Sequence, residues 1–297
     1  MAVAIKTFLG VDLGGGKGKN TAVARLELVG ENVLEVLDVG TTHDKQPWYD
    51  ESLIEYLGAH AKDAMCAVDA PLTLTACVRC RESVCPGMSV CVDPTIVWFR
   101  TEGAELIART AVADRDRIAA VPANGKLGPS YSTAAPTSKK PPTTPYTQRA
   151  TEVVLHRQHG IMPRETLGQG MGPLTARAAH LTRALARFDY RLHENLIEVY
   201  PKATLQMLWG RKVAQGYKRE VDTWDTRARV LESLRGKVEF GRRSRLAKEA
   251  VLSNDHCFDA VICAYTGFLA ASQGWKLPER DRDVFKVDGW IFTPTTP

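Results

Sequence analysis

The sequence lacks the hydrophobic segments that would carry it into or across a membrane. Its longest apolar run, Ala260 to Ala271, is about half of what a bilayer-spanning helix needs. The first apolar run contains Lys6 and is soon followed by Asp12, so it has neither the hydrophobic stretch nor the cleavage site of a secretory signal. These absences lead us to expect a soluble, cytoplasmic protein without a membrane partner.

Two phosphate-binding motifs are also missing, although the segment Ile5–Glu27, IKTFLGVDLGGGKGKNTAVARLE, is rich in glycine. A Walker A loop needs Ser or Thr after its Gly-Lys pair, and here Asn20 follows. A dinucleotide fingerprint needs the glycines to open a helix, whereas residues 21–28 have the pattern of a strand. The segment predicts an antiparallel hairpin whose first strand ends at Asp12. The structural alternative is a plain hairpin with a surface carboxylate.

The composition is typical of a globular protein. Of 297 residues, 44% are hydrophobic and 25% are charged, so the chain can bury a substantial core. The net charge of +5 permits an anionic partner but does not require one. Seven cysteines, four of them crowded between Cys77 and Cys91, favour a metal site over a disulfide framework in an intracellular protein.

The pattern after the hairpin predicts an α/β fold. A third strand over 32–39 continues an antiparallel meander, and a helix over 49–61 separates it from a fourth strand over 65–69. A helix between two strands implies a crossover and a parallel pairing, so the fourth strand should lie beside the first. Asp69 and Asp12 would then meet at the same end of the sheet.

A second crossover predicts a fifth strand. The helix over 174–188 turns its apolar residues inward and Arg177 outward, and a strand over 194–201 follows it. This strand should lie beside the fourth and bring Glu198 to the shared end. The structural alternative is a glutamate at a strand edge that faces water.

The last long helix, over 254–272, carries two further candidates. His256 and Asp259 are three residues apart in its first turn, so they share one face and could meet Asp12. Small residues along the helix would let it lie close to the sheet. The alternative is a structural histidine beside a capping residue, with Asp255 near enough to cap the helix.

Five segments together resemble one known family: GVDLGGGKGKNTAVARLE, AVDAPLTL, LIEVYPKATLQML, NDHCFDAVICAYTGFLA and DGWIFTP. They are similar to the uncharacterised family of predicted RNase H-fold nucleases known as domain of unknown function 429, and they span nearly the whole chain. The resemblance implies a single RNase H-like domain over 1–297. Its mixed five-stranded sheet would have three antiparallel strands followed by parallel strands, flanked by helices.

The activity that the resemblance implies is metal-dependent hydrolysis of phosphodiester bonds in DNA or RNA. In the Holliday-junction resolvases of this fold, a C-terminal helix also carries an acid or histidine three residues before an aspartate. Such enzymes often dimerise, so a homodimer is a possible assembly. Two competing functions stay open: a non-catalytic protein that binds nucleic acid as a scaffold, and an ATP-handling phosphotransferase of the actin-like class.

Converging acids repel each other unless cations lie between them, and carboxylates are ligands that Mg²⁺ and Mn²⁺ prefer. We therefore predict a catalytic site with two metal ions. Asp12 would bridge both ions, Asp69 and Glu198 would bind one side, and Asp259 with His256 would bind the other. We predict three substrate contacts in addition: Lys17, Lys19 and Arg149.

Residues 75–148 are predicted to be an insertion in this domain. Its first part spaces four cysteines as C-x2-C-x4-C-x5-C, a pattern that can close a tetrahedron around structural Zn²⁺; an iron–sulfur cluster and four unrelated free cysteines are the alternatives. These cysteines are Cys77, Cys80, Cys85 and Cys91. Its last part, 121–148, is rich in Pro, Ser, Thr and Lys, which predicts a flexible loop that acts as a lid or is a tolerated surface insertion.

Overall fold

The computed structural model describes residues 5–15, 21–119, 143–219, 221–241 and 245–295. The strands of these residues are β1 (Thr7–Asp12), β2 (Ala22–Gly30), β3 (Val33–Gly40), β4 (Thr42–His43), β5 (Gln46–Pro47), β6 (Ala64–Asp69), β7 (Leu196–Val199), β8 (Val238–Phe240) and β9 (Ile291–Phe292). The helices are α1 (Asp50–Ala59), α2 (Ala76–Arg79), α3 (Pro94–Arg100), α4 (Glu102–Ala119), α5 (Ala150–His159), α6 (Gly172–Leu185), α7 (Pro201–Trp209), α8 (Arg211–Arg219), α9 (Thr223–Ser233), α10 (Arg245–Ser253), α11 (Asp255–Ser272) and α12 (Arg282–Asp288).

A mixed sheet of seven strands lies at the centre, in the order β8-β3-β2-β1-β6-β7-β9. The predicted meander is present, because β2 pairs antiparallel with both β1 and β3. The predicted crossovers are present as well, since β6 pairs parallel with β1 and β7 pairs parallel with β6. The predicted number of five strands was wrong. The two additional strands, β8 and β9, are edge strands of three and two residues; the sequence predicted a short terminal strand or strap over 290–292, where β9 lies, but no strand at β8.

Each face of the sheet is covered by helices, because alternate residues of a strand point to opposite faces. Leu9 and Val11 of β1 belong to a core cluster with residues of α1 and α6. Phe8 of the same strand belongs to a second cluster, which includes most of the buried residues of α11. Since Asp12 is four residues after Phe8, its side chain leaves β1 on the α11 face.

A glycine in β1 sets the distance between this strand and α11. A Cβ atom at Gly10 would lie 1.9 Å from the carbonyl oxygen of Ala260 and 2.5 Å from the amide nitrogen of Ala264. Backbone atoms cannot retreat as a flexible side chain can, so only glycine permits this approach. The approach brings the first turn of α11 to the end of β1, where the candidate site lies.

The predicted insertion contains the helices α2, α3 and α4, and the described residues 80–93 and 143–148 of it are not helical. Of its proposed flexible loop, residues 121–142 lie outside the described residues. Residues 143–148 are hydrogen-bonded to the start of the segment 75–91, which carries the four clustered cysteines and is called the cysteine segment below. The Cys77 amide donates to the Pro145 carbonyl at 3.2 Å, and the Thr75 hydroxyl donates to the Tyr146 carbonyl at 3.1 Å. In the part of the chain that the structure covers, no helix is both long enough and apolar enough to cross a bilayer.

Candidate metal centre

Three elements bring three aspartates together. In the parallel register of β1 and β6, Asp12 is the direct partner of Asp69, as the crossover predicted. Asp259 reaches them from the first turns of α11. Each residue offers one carboxylate oxygen, and these three oxygens all lie within 4.8 Å of one another. Among the described residues this is the one group of three or more carboxylate, imidazole or thiol ligands that is so close.

The electrostatics of this group are unfavourable to its charged form. Burial, opposed by Lys218 and reinforced by Asp12, raises the pKa of Asp259 to about 7. Burial, reinforced by the charges of Asp12 and Asp259, raises the pKa of Asp69 well above its ordinary value. Carboxyl groups titrate this high when desolvation and like charges both disfavour ionisation. The fold therefore forces together charges that repel each other.

His256 lies on the same side of the group. Its Nδ1 is 2.6 Å from Oδ2 of Asp12, and this hydrogen bond is the main reason why the pKa of His256 is raised. Because a carboxylate can only accept, Nδ1 carries the proton. The first turn of α11 is fixed by Asn254, whose side-chain oxygen accepts from the His256 amide at 2.9 Å. Asn254 is thus the capping residue, rather than Asp255.

The three aspartates fit a hard divalent cation. Asp259 is fully buried, and its carboxylate contacts the Lys218 ammonium at 2.5 Å and the Tyr217 hydroxyl. A buried carboxylate is costly unless cations lie beside it, and one ammonium group does not balance three converging carboxylates. Carboxylate oxygens are the ligands that Mg²⁺ and Mn²⁺ take in proteins. The residues that could hold such an ion are Asp12, Asp69 and Asp259.

Glu198 does not join this group. It is the register partner of Val68, one residue before Asp69, so its side chain leaves the sheet on the opposite face. There it meets Arg149. The Arg149 Nη2 is 2.5 Å from Oε1 of Glu198 and the Nη1 is 2.7 Å from Oε2, and the Leu72 amide donates to Oε2 at 3.0 Å. Both oxygens of Glu198 are therefore occupied.

Arg149 is likewise absent from the surface where a phosphate would bind. Only 1% of it is exposed, and its Nε also donates to Glu152 at 3.1 Å. Asp288 belongs to the same buried ionic cluster. Its Oδ2 accepts a hydrogen bond from the Ala150 amide at 2.6 Å, and its Oδ1 accepts one from Arg79 at 2.6 Å. The sequence predicted a substrate contact at Arg149 and a metal ligand at Glu198, but the structure pairs these two side chains with each other.

An arginine of α6 binds both ends of the glycine-rich turn. Arg177 of α6 was predicted to point outward, yet only 7% of it is exposed. It donates to the Gly14 carbonyl at 3.0 Å and to the Thr21 hydroxyl at 2.6 Å, which are the two ends of the turn. The predicted substrate contacts Lys17 and Lys19 lie inside this turn and outside the described residues.

Two further cations, one of them in contact with Asp259, were not predicted. Lys218 of α8 places its Nζ 2.5 Å from Oδ2 of Asp259. Arg164 is exposed. Burial and the charges of Asp69 and Asp259 raise the pKa of Tyr200 to about 12, and the charge of Arg164 opposes this shift. Arg164 also lines an open cleft with Glu165, Gly168, Gln169 and Met171. Neither residue lies in a motif, so the sequence held no signal for them.

The four clustered cysteines are not confirmed as a metal knuckle. All are free thiols, and three of them are exposed. They are nevertheless neighbours, because Cys85, Cys91 and Cys80 act in that order, after burial, to raise the pKa of Cys77. The segment is anchored through Arg79, which also donates to the Thr95 hydroxyl at 2.7 Å.

The fold and the carboxylate group define a class of protein: an α/β chain with a candidate divalent-metal centre at one end of its central strands. The chain belongs to the family of proteins of unknown function DUF429, which matches residues 10–281. No curated protein and no solved structure gives a significant match to it.

Proposed function

We propose that this protein is a metal-dependent nuclease that hydrolyses phosphodiester bonds of DNA or RNA at the Asp12, Asp69 and Asp259 carboxylates. The observation that carries the proposal is the convergence of these three acids within 4.8 Å, from two neighbouring strands and a helix. A fold that only needed stability would not gather buried like charges, because each one disfavours ionisation of the others. A divalent cation removes that penalty.

The bound cation would supply Lewis acidity and a water of lowered pKa. The chain itself contributes position and protons. Asp12 orients His256 through the 2.6 Å hydrogen bond to Nδ1, and this bond favours the protonated imidazole. With 32% of its side chain exposed, His256 can exchange a proton with a leaving oxygen or with solvent. Asp259, held on the same helix face, keeps the aspartates and the histidine in one arrangement.

A nucleic-acid substrate agrees with the net charge of the chain and with an exposed arginine at an open cleft. The net charge is +5, and Arg164 is an exposed cation beside the open cleft that contains Gly168 and Gln169. Guanidinium groups bind phosphate oxygens with two hydrogen bonds. Arg164 replaces the buried Arg149 as the proposed phosphate contact, and Lys17 and Lys19 stay proposed contacts in the glycine-rich turn.

The test is cleavage of labelled single-stranded, duplex and branched DNA and RNA with Mg²⁺ or Mn²⁺. The unmodified protein is compared with Asp12→Asn and with a matched control, Asp44→Asn. Asp44 lies in a turn with a φ of 48° and its side chain is 93% exposed, so asparagine fits there. We expect product from the unmodified protein and from Asp44→Asn and none from Asp12→Asn. Equal cleavage by all three would reject the proposal, and binding without cleavage would favour a scaffold.

We propose separately that the cysteine segment holds structural Zn²⁺, with an iron–sulfur cluster as the alternative. The support is the spacing of Cys77, Cys80, Cys85 and Cys91 and the effect of the other three thiols on the pKa of Cys77. Elemental analysis of the purified protein distinguishes the outcomes: zinc near one per chain, or iron with a visible absorption band. Neither metal, with four thiols that react freely with a thiol reagent, would contradict this proposal.

A further inference from the structure

We propose that the ammonium group of Lys218 takes the place of a second metal ion, so that the aspartates bind a single divalent cation. This inference rests on the proposed metal centre and states how many ions it holds. It makes Lys218 a permanent positive charge of the site, supplied by the chain.

The geometry places the ammonium group where a cation is needed. Its Nζ lies 2.5 Å from Oδ2 of Asp259 and 3.6 Å from Oδ2 of Asp255. Asp259 has no other cation in contact among the described residues, and it is fully buried. This distance is that of a charge-assisted hydrogen bond. The ammonium group therefore occupies one oxygen of Asp259, a carboxylate that a second metal ion would need as a ligand.

The Lys218 side chain is held in this position by its surroundings. The α8 helix lies against α7 and α9. Tyr217, the preceding residue, is buried and its ring centre lies 5.5 Å from that of Phe258 on α11. The Lys218 Nζ also lies 5.3 Å from the centre of the Tyr217 ring, within the range of a cation–π contact. Since 36% of the Lys218 side chain stays exposed, the ammonium group borders both the aspartates and solvent.

Charge balance favours one ion. With Asp255 included, the four aspartates carry four negative charges when ionised, and one divalent ion with the Lys218 ammonium and a protonated His256 carries four positive charges. Two divalent ions with the same two groups would carry six. The ligand that could have helped to hold a second ion is also engaged elsewhere, because both oxygens of Glu198 are bound by Arg149.

The experiment counts Mn²⁺ ions by electron paramagnetic resonance of the free ion during titration. The number of Mn²⁺ ions bound by the unmodified protein, minus the number bound by Asp12→Asn, is the number of ions at the aspartates. Ions bound elsewhere cancel in this difference. We expect one ion in the unmodified protein and two in Lys218→Gln, with the first ion bound at least about tenfold more tightly because a nearby positive charge is gone. Lys218→Arg keeps the charge and should return the count to one. Lys212→Gln, an exposed lysine of the same helix, is the matched control and should also bind one.

Each outcome decides a different statement. Two ions in the unmodified protein would overturn the role of Lys218 and leave the proposed function intact. One ion in Lys218→Gln with unchanged affinity would overturn it as well. If Lys218→Gln does not fold, the count in the unmodified protein decides: one ion supports the inference and two reject it. No ion at the aspartates in any of these proteins would instead reject the metal centre itself.

Discussion

Two buried ionic clusters lie on opposite faces of the same sheet, and their difference separates structure from function. Around Arg149, each carboxylate has a partner: Glu198 is bound by two guanidinium nitrogens, and Glu152 and Asp288 accept hydrogen bonds of their own. Around Asp12, three carboxylates converge with Lys218 and His256 as their neighbouring cationic groups. A network whose charges are paired stabilises the fold, whereas a group with excess like charge is, in our proposal, the place where a cation binds.

An offset of one residue in the register of β6 and β7 decides which of the two clusters Glu198 joins. Asp69 and Val68 are neighbours in β6, and the register of β7 places Glu198 opposite Val68 rather than Asp69. Because side chains alternate between faces, this offset sends Glu198 to the paired cluster. Burial alone therefore does not identify a metal ligand. The number of partners that a buried acid has is the better guide.

The largest expected effect comes from breaking the paired cluster. Arg149→Ala leaves Glu198 and Glu152 buried without their cation, which should cost about 3–5 kcal/mol of the free energy of unfolding. Urea denaturation measures this loss. Arg183→Ala removes an exposed arginine of α6 and should change the free energy by less than about 0.5 kcal/mol. If the Arg149 variant were as stable as the Arg183 variant, the paired cluster would not have the structural role described.

Gly10→Ala should disturb both stability and the aspartate group. Its Cβ would overlap backbone atoms of α11, which should cost about 1–3 kcal/mol or more and shift Asp259 away from Asp12. Gly267→Ala is the matched control, because its Cβ would meet the Ala67 side chain at 3.3 Å and not a backbone atom. We expect Gly10→Ala alone to weaken Mn²⁺ binding in a calorimetric titration. Equal effects of the two changes would contradict the close approach.

Asp12→Asn should change the stability of the metal-free protein little, by about 1 kcal/mol or less, since the lost charge was repelled by Asp69 and Asp259. The clear effect should appear with metal. Mn²⁺ should raise the melting temperature of the unmodified protein and leave that of Asp12→Asn where it was. A Mn²⁺ shift of equal size in both proteins would place the ion elsewhere.

The smallest expected effect is a pH dependence of the free energy of unfolding that a bound divalent ion reduces. Asp69 and Asp259 have raised pKa values in the folded state, about 7 for Asp259, so the folded protein binds more protons than the unfolded chain between about pH 4 and 7. The metal-free protein should therefore become more stable as pH falls from 7 toward 5. Saturating Mg²⁺ should reduce this slope, and a slope that Mg²⁺ leaves unchanged would speak against the site. Other groups contribute as well: the raised pKa values of Glu152, Asp288 and His256 add to this slope, and the lowered pKa values of His159 and His193 oppose it.

Much of the site could be predicted from the sequence, because the rule for a strand–helix–strand crossover needs only a short segment of the chain. A strand, a helix and a second strand must pair in parallel, and this places Asp69 beside Asp12 whatever the rest of the chain does. His256 and Asp259 share a helix face by their spacing alone. These inferences need no knowledge of register beyond the ends of two strands.

The remaining parts depend on tertiary packing that no local pattern contains. All four residues of β7 are buried, so it shows no alternation from which the direction of Glu198 could be inferred. Arg177 lies on a face of α6 that resembles a solvated one, yet it binds the glycine-rich turn. Lys218 lies in a basic helix like many exposed lysines, and its role depends on where α8 meets α11.

The most direct test of the central claim is an anomalous scattering map from crystals grown with Mn²⁺. The account predicts a Mn²⁺ peak among the carboxylates of Asp12, Asp69 and Asp259, with Glu198 still bound to Arg149. A map with no peak at these aspartates at saturating Mn²⁺, or with a peak at Glu198 in their place, would contradict it.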